Sequence, residues 1–105
     1  MRTAFVTGST GFLGSHFLLN SYAANYDQFI CMVRGATPDL RRKKIELALT
    51  HASNSYSQPY DISAILQKCH IINGDLNVKN CGINPDEVIS YLNGNTFDFW
   101  HFAAS

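Results

Sequence analysis

The sequence has little of what marks several common protein classes. Lys and Arg together number 8, as do Asp and Glu, so the formal net charge is zero and no overall field attracts nucleic acid or an anionic membrane. No apolar stretch approaches the roughly 20 residues of a membrane span, and the N-terminus lacks the pattern of a signal peptide. We therefore expect no nucleic-acid partner and no membrane span, and predict a cytoplasmic location.

Cysteine and metal-ligand patterns are also scarce. The three cysteines form no C-x-x-C pair, and any disulfide would leave one of them over, which is typical of reduced cytosolic thiols. The four histidines are widely spaced and form no metal-ligand pattern with the cysteines. No G-x-S-x-G motif is present, which argues against a serine hydrolase. We expect no metal site.

What the chain does have is an alternation of short apolar segments with helix-like segments. Strands are predicted at residues 4–6, 28–33, 69–73 and 97–102, with helices following at about 12–22, from 38, at 61–66 and at 85–92. This alternation predicts an α/β fold, a Rossmann-type doubly wound parallel sheet with its strands in the order 3-2-1-4. The complete fold continues beyond an apolar fourth strand, so we expect residues 1–105 to be the N-terminal portion of one such domain, truncated there.

Several local patterns predict where the helices begin and end. Thr37 precedes a proline at the first helical position, and Asp61 and Asn84 also stand at cap positions. Residues 51–60 are polar and are predicted to form a surface loop, while Asn93 and the glycine after it are predicted to end the last helix. The second helix is expected to present one amphipathic face made of Leu40, Lys44, Leu47 and Ala48.

Three glycines lie between the first strand and the first helix, in the run TGSTGFLG at residues 7–14. The first glycine can take a tight turn, the second lets the backbone approach a pyrophosphate, and the third lets the helix pack closely. The unpaired amides of residues 10–13 and the helix dipole favour phosphate at the same end. The alternative is a bare structural turn. The pattern predicts a dinucleotide site formed by Gly8, Thr10, Gly11, Phe12, Leu13 and Gly14.

The position about 20 residues beyond the glycines distinguishes the two nicotinamide dinucleotides. NAD-binding domains place an Asp or Glu there to bind the ribose 2′-hydroxyl, whereas this chain has Arg34. A guanidinium can hold a 2′-phosphate by paired, charge-assisted hydrogen bonds, so we predict NADP (NADPH) as the cofactor. Arg41 or Arg42 is the expected second contact. The alternatives are an Arg34 head in water and a basic run, residues 41–44, that is only a solvated helix face.

Four short motifs carry a resemblance to a known family: TGSTGFLG, then VRG after strand two, GDL after strand three and WHFAAS at strand four. The chain resembles the extended short-chain dehydrogenase/reductase superfamily. Within it, the chain looks most like the thioester reductase domains of nonribosomal peptide synthetases and carboxylic acid reductases, with fatty acyl-CoA reductases nearby. The resemblance spans essentially the whole chain. It implies an NADPH-dependent oxidoreductase that, when complete, reduces a carrier- or CoA-bound acyl thioester to an aldehyde or alcohol.

The resemblance also implies roles for individual residues. It places Thr7 to Leu13 on the pyrophosphate and Arg34 on the 2′-phosphate. It places further residues beside the adenine, Asp75 and Leu76, and along the cofactor toward the nicotinamide, Ala103 and Ala104. A carboxylate after strand three can accept from the adenine amino group, although Asp in a Gly-Asp-Leu turn also has a structural reading. Small residues such as the two alanines also occur simply where elements pack.

The catalytic residues of that family are not visible in this sequence. The family uses a Ser or Thr and a Tyr-x-x-x-Lys pair, but the five tyrosines are followed four residues later by Tyr, Ile, Tyr, Ala and Asn. We therefore predict no catalytic residue and no turnover by this chain alone, with an acyl carrier protein or CoA thioester as partner of the complete protein. The alternatives are a nucleotide-sugar epimerase or dehydratase of the same superfamily, and a non-catalytic NADP-binding sensor module.

Overall fold

The computed structural model describes residues 1–21, 26–56, 60–75 and 77–102. In these residues four strands alternate with four α-helices and one 3₁₀ turn. In chain order they are β1 Thr3–Thr7, α1 Phe12–Ser21, β2 Gln28–Val33, α2 Pro38–Ser53, α3 Ile62–Gln67, β3 Cys69–Asn73, the 3₁₀ turn Lys79–Gly82, α4 Pro85–Leu92 and β4 Asp98–His101.

The four strands form one parallel sheet in the order β3-β2-β1-β4, as the sequence predicts. The two central strands, β1 and β2, are buried at every position because helices cover both of their faces. Parallel strands end at the same edge of a sheet, so the loops after the four strands converge there. The fold is therefore a four-stranded part of a doubly wound α/β domain.

Helices cover both faces of the sheet, and alternate residues of each strand point into two cores. Residues from α1, α2 and α3 pack on one face, against β2 side chains such as Phe29 and Val33. On the other face α4 packs through Val88 and Leu92 against a smaller group, Phe5, Ile30, Met32 and Ile72. The nearly unbroken apolar run of β2 is thus explained by burial on both sides.

Helix caps follow the residues that the sequence singles out. The Thr37 hydroxyl accepts the Leu40 amide at 3.1 Å at the start of α2. The Asp61 carboxylate accepts the Ala64 amide at 3.1 Å at the start of α3, and the Asn84 side chain accepts the Asp86 amide at 3.0 Å. Asn93 closes α4 in the left-handed conformation, with φ of 48°. These boundaries are confirmed.

Helix α2 departs from its predicted extent and face. It continues through Ser53, so the start of the predicted loop at residues 51–60 is helical, because Ala52 still packs into the core. The buried stripe is Ile45, Leu49 and Ala52, whereas Leu40 and Leu47 are 45% and 63% exposed. At 16 residues α2 is the longest described helix, and none in the described part is apolar and long enough to cross a bilayer.

The outer strand, β4, is short and exposed. It covers Asp98–His101, two residues fewer than the predicted strand at 97–102. Phe99 stacks on Phe5 of β1 with ring centroids 5.6 Å apart, yet Phe99 and Trp100 remain 59% and 39% exposed. The apolar edge that the sequence predicts is therefore present in the described residues.

The three cysteines are free thiols, as expected. Cys31 lies in the centre of β2 and is fully buried. The pKa of its thiol is raised well above the usual range, first by a hydrogen bond with the Cys69 thiol and then by burial. Packing is therefore the role that the surroundings of Cys31 indicate.

Candidate functional site

The turn after β1 is shaped by Gly8, which leaves the strand with φ of 74°. This left-handed conformation favours glycine because a side chain at such φ is strained. The Gly11 amide then donates to the Gly8 carbonyl at 3.0 Å, which closes the turn, and α1 starts one residue later. The predicted role of Gly8 in a tight turn is confirmed by this geometry.

Gly14 marks the closest approach of α1 to this turn. A Cβ built on Gly14 would lie 2.1 Å from the Gly8 carbonyl oxygen and 2.8 Å from the Ser9 Cα, both of them backbone atoms. A Cβ on Gly11 would meet the same oxygen at 3.4 Å, an ordinary contact. Helix α1 can therefore begin against the end of β1 only if residue 14 has no side chain.

The first-turn amides of α1 point out of the helix N-terminus beside this turn. Helix geometry leaves the amides of Phe12 and Leu13 without an intrahelical acceptor, and both side chains are exposed. The Gly11 amide does not belong to this set, because it is used inside the turn. The expectation that all amides from Thr10 to Leu13 are unpaired is therefore wrong at Gly11, because the Gly11 amide donates to the Gly8 carbonyl.

Arg34 and Asp75 come together at the ends of β2 and β3. The Arg34 Nη1 lies 3.8 Å from the Asp75 Oδ2, with 71% and 28% of the two side chains exposed. The Asp75 Oδ1 accepts the Asn77 amide at 2.9 Å, which is the turn-forming role of Asp. The pair places a cation and a carboxylate at the same edge of the sheet as the glycine turn.

The basic run at the start of α2 divides between two directions. Arg41 Nη1 donates to the Gly35 carbonyl at 2.7 Å, and Lys44 Nζ donates to the Arg34 carbonyl at 2.6 Å. Arg42 and Lys43 are exposed. Of the two predicted second contacts, Arg41 is thus folded back onto the turn, whereas Arg42 is directed to solvent.

At the other side of β1, its last residue is tied to β4. Thr7 Oγ1 and His101 Nδ1 share a hydrogen bond of 2.5 Å, and the Phe102 amide donates to the Thr7 carbonyl at 3.0 Å. His101 is therefore held by the side-chain hydroxyl of Thr7. The predicted site residues Leu76, Ala103 and Ala104 lie outside the described residues.

A cavity of about 680 Å³ lies between α1 and α2, beside the glycine turn. Three of the predicted cofactor residues, Thr10, Gly11 and Phe12, form one end of it, and the rest is formed by residues of the two helices together with Ser55. Arg34 and Asp75 are not among its lining residues. Among the described residues, the structure therefore brings the glycine turn, Arg34 and Asp75 to one edge of the sheet without enclosing them in a single pocket.

Three side-chain contacts near the site were not predicted from the sequence. The sequence shows a run of four basic residues but not that Lys44 and Arg41 face the β2–α2 turn. The spacing of three residues, which places both on one side of a helix, is the only indication in the sequence. The Arg34–Asp75 pair is also unpredicted, because it depends on how β2 and β3 align.

Residues 6–105 match the sequence profile of the family described as Male sterility protein. The chain belongs to this family of NAD-binding domains. A nicotinamide dinucleotide is therefore the class of cofactor that fits the chain. No curated protein matches it.

Several solved structures that have a similar fold are reductase domains. The terminal R domain of the myxalamid PKS-NRPS pathway is 24% identical, with a TM-score of 0.73 over 100% of this chain and 25% of that chain. The PhqB reductase domain of Penicillium fellutanum is 23% identical, with a TM-score of 0.75 over 99% of this chain and 27% of that one.

A thiolation-reductase di-domain from an archaeal nonribosomal peptide synthetase is 22% identical, with a TM-score of 0.64 over 99% of this chain and 25% of that one. This chain thus spans about a quarter of the length of the structures it matches. The fold similarity and the family together confirm the resemblance to thioester reductases that the sequence motifs indicate.

Proposed function

We propose that this chain forms the NADP(H)-binding part of a thioester reductase. The observation that carries the proposal is the position of Arg34 at the end of β2, on the sheet edge where the glycine turn opens. A carboxylate here would repel a 2′-phosphate, whereas a guanidinium can bind it through paired hydrogen bonds. The single ion pair of Arg34 in the described residues spans 3.8 Å, and the Arg34 side chain is 71% exposed, so the pair is weak enough for a phosphate to replace.

We also propose roles for the other predicted residues near Arg34. The first-turn amides of Phe12 and Leu13 and the backbone at Gly11 face the pyrophosphate, where the α1 dipole favours negative charge. We propose that the Asp75 carboxylate, at the end of β3, accepts a hydrogen bond from the adenine amino group. We keep the other positions as part of the proposed site: Gly8, Thr10, Gly14, Arg42, Leu76, Ala103 and Ala104.

The reaction we propose belongs to the longer protein. When bound, NADPH supplies a hydride, and the residues of this chain bind and orient the cofactor. Reduction of a carrier- or CoA-bound acyl thioester requires groups that stabilise the developing oxyanion and donate a proton. The Tyr-x-x-x-Lys pair that does this in thioester reductases has no counterpart in the sequence, so we propose that residues 1–105 bind cofactor without turnover.

An acyl carrier domain is the proposed partner of the complete protein. The support is the likeness in fold to a structure in which a thiolation domain and a reductase domain form one chain. A thiolation domain carries its substrate as a thioester, which is the group that the proposed hydride transfer reduces.

The proposal is tested by the thermal stability of the purified protein with NADPH and with NADH. A ligand that binds only the folded state raises the free energy of unfolding by about 2.7 kcal/mol at 100 times its dissociation constant. We expect stabilisation by NADPH to exceed that by NADH, and the difference to disappear in Arg34→Ala. Circular dichroism confirms that the variant is folded.

Lys43→Ala is the matched control, because it removes one exposed positive charge from the same basic region. This variant should keep the preference for NADPH. Equal stabilisation of the unaltered protein by both dinucleotides would contradict the proposed selectivity while leaving a dinucleotide site. Stabilisation by neither, in a folded sample, would contradict the site itself.

A further inference from the structure

Two basic side chains of α2 donate hydrogen bonds to consecutive backbone carbonyls of the turn that carries Arg34. Lys44 Nζ donates to the Arg34 carbonyl at 2.6 Å, and Arg41 Nη1 donates to the carbonyl of the next residue, Gly35, at 2.7 Å. Both are charge-assisted hydrogen bonds to backbone, which are stronger than neutral ones. The carbonyl direction of a residue is set by its backbone dihedral angles, so the two bonds restrict the rotation of the turn.

Packing reinforces these two hydrogen bonds. A Cβ on Gly35 would lie 2.8 Å from the Arg41 Cγ, so the Arg41 side chain lies directly against the turn. Arg41 Nε is buried and has no hydrogen-bond partner among the described residues, so the Nη1 bond is the polar contact that holds the guanidinium. On the opposite side the Gly35 amide donates to the Asn73 Oδ1 at 3.4 Å.

We infer that Lys44 and Arg41 are positioning residues for NADP selectivity, which act by holding the Arg34–Gly35 turn so that the Arg34 guanidinium is directed at the 2′-phosphate. The inference rests on the proposed function. It divides the basic run into two parts. Arg41 and Lys44 lie one helical turn apart and bind the backbone, whereas the side chains of Arg42 and Lys43 make no hydrogen bond or ion pair within the described residues. A flexible Arg34 would lose more entropy on binding phosphate than one on a fixed turn.

Lys44→Met is the decisive variant, because Lys44 is exposed and its replacement does not disturb the core. We expect the dissociation constant for NADPH to rise by about fivefold, within the range of coupling between contacting residues. The constant for NADH should not change, and the thermal midpoint of the free protein should fall only slightly, because the lost hydrogen bond is at an exposed side chain. Lys43→Met, which removes the neighbouring charge, should leave both constants unchanged, and Lys44→Arg should restore NADPH binding.

A double variant separates positioning from direct contact with the phosphate. If Lys44 acts through Arg34, adding Lys44→Met to Arg34→Ala should have no further effect on NADPH binding. An additional loss in that background, or an equal loss in Lys43→Met, would overturn the inference while leaving the proposed NADP selectivity intact. Unchanged NADPH binding in Lys44→Met would do the same.

Equal affinity of the unaltered protein for NADPH and NADH would overturn the proposed selectivity, and the positioning role with it.

Arg41 is half-buried, so Arg41→Lys is used in place of a neutral variant. A lysine keeps the charge but lacks the planar fork that reaches the Gly35 carbonyl. We expect a partial loss of NADPH preference in this variant, and an unchanged preference would exclude Arg41 from the role.

Discussion

Gly11 and Gly14 lie three residues apart in the same turn, but different physical requirements apply to them. At Gly14 the nearest backbone atom would be 2.1 Å from a Cβ, a separation that real Cβ atoms do not reach. At Gly11 the nearest atom would be 3.4 Å away, so a methyl group fits the folded protein. Folding therefore explains glycine at position 14 but does not require it at position 11, where we propose that a ligand approaches the backbone.

These two positions give a matched test. Gly14→Ala should lower the free energy of unfolding by about 1–3 kcal/mol, because the turn or the helix must shift to make room for the methyl group. Gly11→Ala should leave the stability of the free protein within about 0.5 kcal/mol, but should reduce its stabilisation by NADPH. Urea unfolding with and without the cofactor measures both effects. If NADPH stabilises Gly11→Ala as much as it stabilises the unaltered protein, Gly11 is not part of the proposed pyrophosphate site.

Spacing in the sequence is sufficient to predict the turn at Gly8, because this glycine directly follows a strand. It also predicts that Arg34 lies at the end of β2, whereas the role of Arg34 toward a phosphate stays a prediction. The contact between Arg34 and Asp75, and the backbone hydrogen bond of Lys44, depend on the alignment of three elements and on side-chain rotamers. No pattern within one segment contains that information.

Helix α2 shows the limit of periodicity at the level of an element. Two apolar stripes with helical spacing run along it, one through Ile45 and Leu49 and the other through Leu40 and Leu47. Periodicity predicts a helix from either stripe, and only packing against α1 and the sheet decides which is buried. The cap at Thr37 was predictable because it is local, whereas the end of the helix at Ser53 was not, because Ala52 is retained by tertiary contact.

The two stripes can be told apart by truncation. Ile45→Ala should lower the free energy of unfolding by about 2–5 kcal/mol, since Ile45 is fully buried. Leu47→Ala, at a position that is 63% exposed, should change it by no more than about 0.5 kcal/mol. Equilibrium unfolding in urea, followed by circular dichroism, measures both variants. A cost at Leu47 as large as that at Ile45 would mean that the second stripe is covered in the folded protein.

For the whole molecule, the strand order was predictable because alternation of strands and helices leaves few topologies for a parallel sheet. The consequence of that order is a gradient of burial. The central strands β1 and β2 are buried throughout, while β4 pairs with β1 and is exposed at every position. The most protected part of the protein should therefore be β2, and its protection should depend on the stability of the entire sheet.

Cys31 reports that protection directly, because its thiol lies within β2 and is fully buried. In native buffer an alkylating reagent should modify the half-buried Cys81 first and Cys31 last, since Cys31 reacts only when the sheet opens. When the sheet recloses faster than it is alkylated, NADPH at about 100 times its dissociation constant should slow Cys31 modification about 100-fold. Peptide mass spectrometry resolves the three thiols, and labelling in urea confirms that each can react. If Cys31 is modified as fast as Cys81, β2 is not the most protected part of the sheet. If the cofactor does not change the rate at Cys31, cofactor binding is not linked to folding of the sheet.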